Sequence, residues 1–190
     1  MGFTFDTYVS RSQWETYSEA DRCNLLLRAL VLEDDAVETY QKDMQKLPDA
    51  VHQMSDEDLL AECTERAKTA CDSFTYNSKG FHATISTDHA NLVFFSVPWD
   101  AGWSAEVNGE PVSIEKADIG FMAVPVAAGD SEITFTYHTP GLKAGALLSL
   151  GGLVLFAGYL TVAGIWNKRH PSPKAESVCC VDYSAEETAN

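Results

Sequence analysis

Two tryptophans flank a carboxylate in the short run PWDAGW, and these side chains are the best candidates in the chain for binding a ligand. An indole face covers the apolar C–H surface of a sugar ring, while a carboxylate accepts hydrogen bonds from sugar hydroxyls. Trp99, Asp100 and Trp103 are therefore candidate carbohydrate-binding residues. A structural role suits them equally, because Pro98 and Gly102 favour a tight turn in which Asp100 bonds to nearby backbone. The indoles would then pack into a core or rest at a membrane interface.

Other side chains are poorly arranged to bind a metal or a cofactor. The acidic runs 33–35 and 56–58 could supply oxygen ligands for a divalent cation, but neither has the spacing of a calcium-binding loop. The second run is better explained as a helix start, where the dipole favours negative charge. His82 and His89 have no cysteine or second ligand pair nearby, which argues against zinc. We expect no metal and no cofactor.

No catalytic residue is predicted in this chain. It contains no dinucleotide-binding glycine run, Walker loop, nucleophile elbow or H-E-x-x-H motif. The 28 Asp and Glu residues against 13 Lys and Arg give a net charge of −15. This balance argues against a nucleic-acid partner, because phosphate binding relies on clustered basic residues.

The five cysteines are too few for a disulfide scaffold of 190 residues. If one helix held both Cys63 and Cys71, their Cα atoms would be about 12 Å apart, beyond the reach of a disulfide. They could pair only if the helix ended between them. Cys179 and Cys180 are expected to be reduced thiols in a cytoplasmic tail.

An uncharged run from Ala144 to Trp166, closed by Lys168 and Arg169, dominates the chain. Its 23 residues would span about 34 Å as a helix, enough to cross the roughly 30 Å hydrocarbon core of a bilayer. We therefore predict one transmembrane helix over residues 143–166, in contact with membrane lipid. Its glycines suit close packing against other transmembrane helices of the same protein.

The flanking charges predict the orientation of this helix. Three basic residues lie in the tail after it, whereas only Lys143 closely precedes it. Lys and Arg mark the cytoplasmic side of a span. We therefore expect residues 1–142 outside the cytoplasm and a cytoplasmic tail over 167–190.

An exported domain needs an upstream signal, and residues 1–30 do not look like one. They lack a basic start, and Arg28 interrupts the apolar stretch from Leu25 to Leu32. Either the chain is the carboxyl-terminal piece of a longer protein with earlier spans, or it is tail-anchored with its large domain in the cytoplasm. The second alternative reverses the charge bias and requires translocation of the tail, so the first is favoured.

The predicted fold class is α+β: an antiparallel β-sandwich with a helical preface, followed by the transmembrane helix. Residues 1–70 are expected to be mainly helical, with capping boxes at Ser18 and Ser55 and the second helix running to about residue 70. From residue 71 to 140 the pattern alternates, as in short strands separated by turns. The predicted strands are 74–76, 81–85, 91–97, 103–107, 111–115, 119–126 and 132–138. Asn108-Gly109 is a strong hairpin signal between two of them.

A family resemblance rests on the order of several motifs. They are FSVPWDAGWS at 95–104, VNGEPV at 107–112, GFMAV at 120–124, FTY at 135–137 and TPGLKAG at 139–145, with FDTY at 5–8 and LRALVLED at 27–34. This set resembles the carboxyl-terminal region of the bacterial YfhO family of multi-spanning membrane proteins, over most of residues 3–166. The segment 177–190 matches no pattern of that family.

The resemblance implies a protein of the bacterial cell membrane related to glycosyltransferases that use lipid-linked sugar donors. Such proteins decorate cell-envelope polymers such as lipoteichoic acid, and their catalytic acidic residue lies in an early outer loop. This chain would then be an accessory or acceptor-binding domain, with a glycan or cell-envelope polymer as partner. The alternative is a non-enzymatic, membrane-anchored β-sandwich that serves as an interaction or adhesion module. An upstream reading frame that encodes further spans would favour the first.

Overall fold

The computed structural model describes residues 2–48 and 54–170, so Cys179, Cys180 and most of the expected cytoplasmic tail lie outside the described residues. The chain divides into two compact units, residues 1–140 and 141–190. The first unit holds two mostly antiparallel sheets with short helices, and the second holds an apolar helix. The predicted α+β fold class is confirmed.

The described part of the first unit contains twelve strands and four helices. The strands are β1 (Gly2–Thr4), β2 (Thr7–Ser10), β3 (Leu30–Leu32), β4 (Gln45–Lys46), β5 (Ser73–Asn77), β6 (Gly80–Thr87), β7 (Asn91–Pro98), β8 (Trp103–Val107), β9 (Glu110–Val112), β10 (Glu115–Ala117), β11 (Phe121–Val126) and β12 (Gly129–Tyr137). The helices are α1 (Arg11–Thr16), α2 (Glu19–Leu25), α3 (Asp34–Tyr40) and α4 (Asp56–Lys68), and the second unit contains α5 (Leu142–Arg169).

The strands form two sheets that enclose a common core. One sheet has seven strands in the order β1-β7-β11-β10-β3-β2-β4, and the other has five in the order β5-β6-β12-β8-β9. Strand β2 is parallel to β3 and β4, and the other pairs are antiparallel. Phe81 and Phe135 of the five-stranded sheet pack in one buried cluster with Phe95 and Met122 of the seven-stranded sheet.

Strand β7 is buried on both faces, which explains its uninterrupted apolar run. Val93 and Phe95 belong to the core between the sheets, whereas Leu92 and Phe94 belong to a second buried cluster that also contains residues of β3 and α3. Alternate side chains of a strand point to opposite faces. A strand covered on both sides therefore needs apolar residues at every position, as in the centre of parallel sheets.

Residues 1–70 hold α1 to α4, the four helices described in the first unit, together with four short strands that were not predicted. They contribute β1, β2, β3 and β4 to the seven-stranded sheet, where β1 pairs with β7 and β3 pairs with β10. No compact unit ends near residue 70. The sequence pattern did not indicate these strands, because a fully buried three-residue strand such as Leu30–Leu32 has no alternation to detect.

The two predicted helix starts are confirmed. Ser18 caps α2 by accepting a hydrogen bond from the Asp21 amide. Ser55 caps α4 through a reciprocal capping box with Asp58, and these hydrogen bonds to the carboxylate lower the pKa of Asp58. Helix α4 ends at Lys68, between Cys63 and Cys71 in sequence, and neither of these thiols forms a disulfide.

The region after residue 107 confirms one prediction and corrects another. Asn108 and Gly109 have φ angles of +54° and +80° and join β8 to β9 in a tight hairpin, as predicted. The predicted single strand 111–115 is instead two strands. Strand β9 pairs with β8 in the five-stranded sheet and β10 pairs with β11 in the seven-stranded sheet, so the chain crosses between sheets at residues 113–114.

Helix α5 contains the whole predicted span, beginning one residue earlier and ending three residues later. Among the described residues it is the one helix long and apolar enough to cross a membrane. None of its most apolar 18-residue window is buried within the protein. Its 28 residues measure about 42 Å at the usual helical rise.

Candidate functional site

One end of the sandwich collects the loops that carry the predicted site residues. The register places Trp103 opposite Tyr137 and Gly80 opposite Thr136, so β6 and β8 begin where β12 ends. Strand β11 begins where β7 ends. We refer to this end as the exit end, because the chain leaves the sandwich there; it comprises the turn 77–80, the loop 99–102, the turn 118–120 and the residues that follow β12. The opposite end is the far end.

An open cleft with a volume of about 730 Å³ lies at the exit end, and we refer to it as the aromatic cleft. It is lined by Phe74, Tyr76, Asn77, Ser78, Lys79, Gly80, Phe81, Val97, Pro98, Asp100, Trp103 and Tyr137. The Phe81 ring lies 5.2 Å from the Phe74 ring and 5.6 Å from the Trp103 ring, and Trp103 lies 5.0 Å from Tyr137. The aromatic lining is therefore continuous from β5 to β12.

The loop 99–102 is held by backbone bonds and by its glycine. The Gly102 amide donates to Asp100 Oδ1 at 2.8 Å, and the His138 amide donates to the Gly102 carbonyl at 2.8 Å. A Cβ added at Gly102 would clash with the His138 carbonyl oxygen and with the Tyr137 ring. Only glycine allows this close approach, which brings the Asp100 carboxylate to the edge of the cleft.

Asp100 and Tyr137 form the polar pair of the cleft. The Tyr137 hydroxyl is hydrogen-bonded to the Asp100 carboxylate, and this bond raises the pKa of Tyr137 because a phenolate would face a negative charge. Tyr137 is therefore a neutral donor at physiological pH. An exposed carboxylate and a phenol beside several ring faces can bind a neutral, hydroxyl-rich ligand.

The structure brings two of the three predicted site residues together. Asp100 and Trp103 line the aromatic cleft, whereas Trp99 does not. The Trp99 amide donates to the Gly120 carbonyl at 2.8 Å, and its ring lies under the Lys116 ammonium, with Nζ 4.0 Å from the ring centroid. Trp103 also packs against the core between the sheets, so it has structural contacts as well as an exposed face in the cleft.

Sequence reasoning missed Tyr76 and Tyr137 as cleft residues. Tyr76 alternates with Phe74 on β5, a pattern that marks a shared face but no particular site. Tyr137 becomes part of the cleft through its pairing with Trp103, 34 positions earlier. No local signal reports that register.

The other candidate ligands are dispersed. His82 Nε2 lies 2.9 Å from Glu132, and His89 Nε2 lies 3.8 Å from Asp6, so the two histidines have separate partners. The acidic runs 33–35 and 56–58 lie at the starts of α3 and α4. Across residues 2–48 and 54–170, no group of three or more His, Cys, Asp or Glu could hold a metal ion.

The chain is similar to known bacterial membrane proteins. The family model described as "Bacterial membrane protein YfhO" matches residues 3–149, which include every residue of the aromatic cleft. The "Uncharacterized protein YfhO" of Bacillus subtilis (strain 168) is 29% identical over 121 residues, which cover 64% of this chain. The match spans 13% of the length of that relative. No solved structure matches the chain.

Proposed function

The chain belongs to the YfhO family of bacterial membrane proteins, and on this premise we propose that its strand-rich unit binds the glycan acceptor of a cell-envelope glycosyltransferase. In this proposal α5 crosses the membrane, residues 1–142 lie outside the cytoplasm and residues 167–190 lie inside it. The protein would act with lipid-linked sugar donors on polymers of the lipoteichoic acid type. This unit would be accessory and would hold no catalytic residue.

The aromatic cleft is the observation that carries the proposal. Its volume lies within the range of small-molecule binding sites. Ring faces such as Tyr76 and Trp103 suit the apolar faces of sugars, and Asp100 and Tyr137, whose own proton is donated to Asp100, offer acceptor oxygens for sugar hydroxyls. Lys79 at the rim adds a positive charge that suits a phosphate-containing polymer.

A binding measurement on the full chain in lipid nanodiscs tests this function. Deacylated lipoteichoic acid is titrated against the wild-type chain, the Tyr76→Ala variant and the Trp99→Ala control. Tyr76 is 84% exposed, so its removal should leave the fold intact. Loss of one stacking ring is worth about 0.5–1.5 kcal/mol, so we expect the Kd of Tyr76→Ala to rise about 2- to 12-fold.

Trp99→Ala removes a ring that is 36% exposed and lies outside the cleft, so we expect its Kd to match that of the wild-type chain. Equal affinities for all three proteins would exclude the cleft as the glycan site. Equal losses in both variants would indicate a general surface effect instead.

The alternative function, a non-enzymatic interaction module, is favoured by one other surface. Helix α4 exposes Leu59 and Leu60, while Glu62 pairs with Arg28 at 3.3 Å and Arg66 donates to the Thr4 carbonyl. Two charged side chains of α4 thus contact the sandwich while two leucines face solvent, and exposed apolar side chains mark interaction surfaces. If Leu60→Lys abolished cross-linking to a partner while Tyr76→Ala left glycan affinity unchanged, this alternative would replace the first.

A further inference from the structure

Exposed large hydrophobic side chains concentrate at the exit end. Among the described residues before residue 141, six such side chains are exposed. Two are the leucines of α4, and the other four, Tyr76, Trp99, Ile119 and Phe121, all lie at the exit end. The Trp99 amide is hydrogen-bonded to the Gly120 carbonyl, and Phe121 lies opposite Pro98, so three of these residues lie in adjoining turns at the exit end. We refer to Trp99, Ile119 and Phe121 as the apolar tip.

The backbone conformation at Ile119, in the apolar tip, favours glycine or asparagine over isoleucine. Ile119 lies in the turn between β10 and β11 with a φ of +74°, and its side chain is 39% exposed. A β-branched residue is strained in this region, which glycine and asparagine adopt readily. An exposed isoleucine at this position therefore weakens the fold without filling the core, and a role outside the sandwich explains it.

The basic residues of the strand-rich half lie at the same end. Between residues 71 and 140 the Lys and Arg residues are Lys79 and Lys116, and both are exposed at the exit end. Acidic side chains lie toward the far end at Asp88, Glu106, Glu110, Asp130 and Glu132. Asp100, Glu115 and Asp118 lie at or near the exit end, so within residues 71–140 this end is close to neutral whereas the far end is more negative.

The chain path links this end to the membrane. Strand β12 ends at Tyr137, and the His138 amide is bonded to the loop 99–102. After residues 138–141 the chain enters α5, whose second residue is Lys143. The apolar tip and both lysines therefore belong to the end of the sandwich from which the polypeptide proceeds to the bilayer.

We propose that the exit end docks onto the anionic surface of the bilayer, with the apolar tip inserted at headgroup level and Lys79 and Lys116 on lipid phosphates. Tryptophan is enriched at membrane interfaces, and basic residues are attracted to anionic headgroups. The Lys116 ammonium already lies over the Trp99 ring, so charge and indole would meet the interface together. Docking does not require glycan binding, although Lys79 belongs to both surfaces and a ligand in the aromatic cleft would be held close to the headgroups.

The test uses the full chain labelled with 5-fluorotryptophan in lipid nanodiscs. The four tryptophans give four ¹⁹F signals, which single Trp→Phe variants assign. The discs contain phosphatidylcholine with about 30% phosphatidylglycerol and a trace of lipid with a gadolinium-chelating headgroup, a composition that supplies the anionic surface the lysines require. We expect the gadolinium lipid to broaden the Trp99 signal at least threefold. An unchanged Trp99 line width would overturn the proposal.

Charge-reversal variants test the lysines. Lys79→Glu with Lys116→Glu should reduce the broadening of Trp99 by at least half, as should discs of phosphatidylcholine alone. Lys42→Glu with Lys46→Glu makes the same charge change beside β4 and should leave the broadening unchanged. Equal broadening in both double variants would overturn the assignment of Lys79 and Lys116 as lipid contacts.

Ile119→Asn separates docking from folding. Asparagine tolerates a positive φ, so this variant should unfold at a higher temperature than the wild-type chain while its Trp99 signal is broadened less. A residue that serves only the fold cannot show both effects. Loss of docking with unchanged affinity for deacylated lipoteichoic acid would leave the proposed glycan site intact, and the reverse result would leave the docking surface intact.

Discussion

Strand β7 and helix α5 are both strongly apolar, but β7 is buried in the protein and α5 is exposed. Residues 91–95 of β7 are buried between two layers of protein, whereas the most apolar part of α5 has no buried residue. The difference lies in length and neighbours. Eight residues of strand fit between two protein layers, whereas a 28-residue apolar helix has the length and composition to cross a bilayer. Changes that act on one environment and not the other test this contrast.

The largest effect is expected from charges placed in the middle of α5. Each central arginine costs about 2.5–3.5 kcal/mol of insertion free energy, so Leu153→Arg with Phe156→Arg should cost about 5–7 kcal/mol. We expect this variant to be extracted from bacterial membranes by alkaline carbonate, whereas the wild-type chain resists extraction. The control, Leu153→Ala with Phe156→Ala, should also resist. Resistance of the arginine variant would show that α5 is not covered by lipid.

The matching change in the protein core is Phe95→Ala. Phe95 is fully buried, with ring centroids 5.2 Å from Phe81 and 5.1 Å from Phe135. Its truncation should cost about 3–5 kcal/mol of the free energy of unfolding and lower the Tm of the first unit by about 10 °C or more, measured by near-UV circular dichroism. Phe156→Ala should leave this transition unchanged, because Phe156 lies in α5. Equal shifts in the two variants would contradict the contrast.

The interior of the first unit contains the carboxyl group of Asp118, whereas the centre of α5 contains no charged residue. Asp118 accepts a hydrogen bond from the Val31 amide at 2.9 Å, and burial raises its pKa to about 7. An unfolded aspartate has a pKa of about 3.9, so the folded state binds more protons between about pH 4 and 7. The contribution of Asp118 to stability therefore falls as the pH rises through this window, by about 2–4 kcal/mol.

Asp118→Asn keeps an acceptor for Val31 and removes the titration. We expect this variant to match the wild-type Tm at pH 4.5 and to exceed it at pH 8, in thermal unfolding followed by circular dichroism. Asp88→Asn, a neutralised exposed aspartate, serves as the control and should follow the wild-type profile. If Asp118→Asn shows the wild-type pH dependence, another group must dominate it.

The smallest effect is expected from a change at the start of α4, a helix exposed to water. Helix α4 has no buried residue, and its first turn depends on the capping box of Ser55 with Asp58. Ser55→Ala should cost about 1 kcal/mol and accelerate amide hydrogen exchange in α4. Thr161→Ala in α5, where Thr161 bonds to the Gly158 carbonyl, should not change exchange in α4. Unchanged exchange after Ser55→Ala would mean that tertiary contacts alone hold α4.

The parts of the fold that sequence reasoning anticipated carry strong local signals. The hairpin at Asn108-Gly109 requires two positive φ angles, the caps at Ser18 and Ser55 precede acidic first turns, and α5 is uncharged for longer than a bilayer is thick. Each of these signals can be read from one continuous stretch of sequence. The strands β1 to β4 carry none, because they are short and most of β3 and β2 is buried by partners far away in sequence.

Sequence reasoning predicted only some of the residues that line the candidate site. The run PWDAGW led to Asp100 and Trp103, which do line the aromatic cleft, and to Trp99, which faces Lys116 instead. The separation of Trp99 from its neighbours follows from the bond of its amide to Gly120, in the turn before β11 of the seven-stranded sheet. That bond joins residues 21 positions apart.

The sequence by itself determined that this chain has one long apolar helix, a set of short strands and a carboxylate between two indoles, because composition and spacing are local properties. Tertiary structure alone decided which strands share a sheet, which aromatic rings line the cleft and which hydrophobic side chains stay exposed at the exit end. Those features depend on pairings such as Trp103 with Tyr137 and Phe121 with Pro98. Strand register is set by packing of the whole sandwich, and no short stretch of sequence contains it.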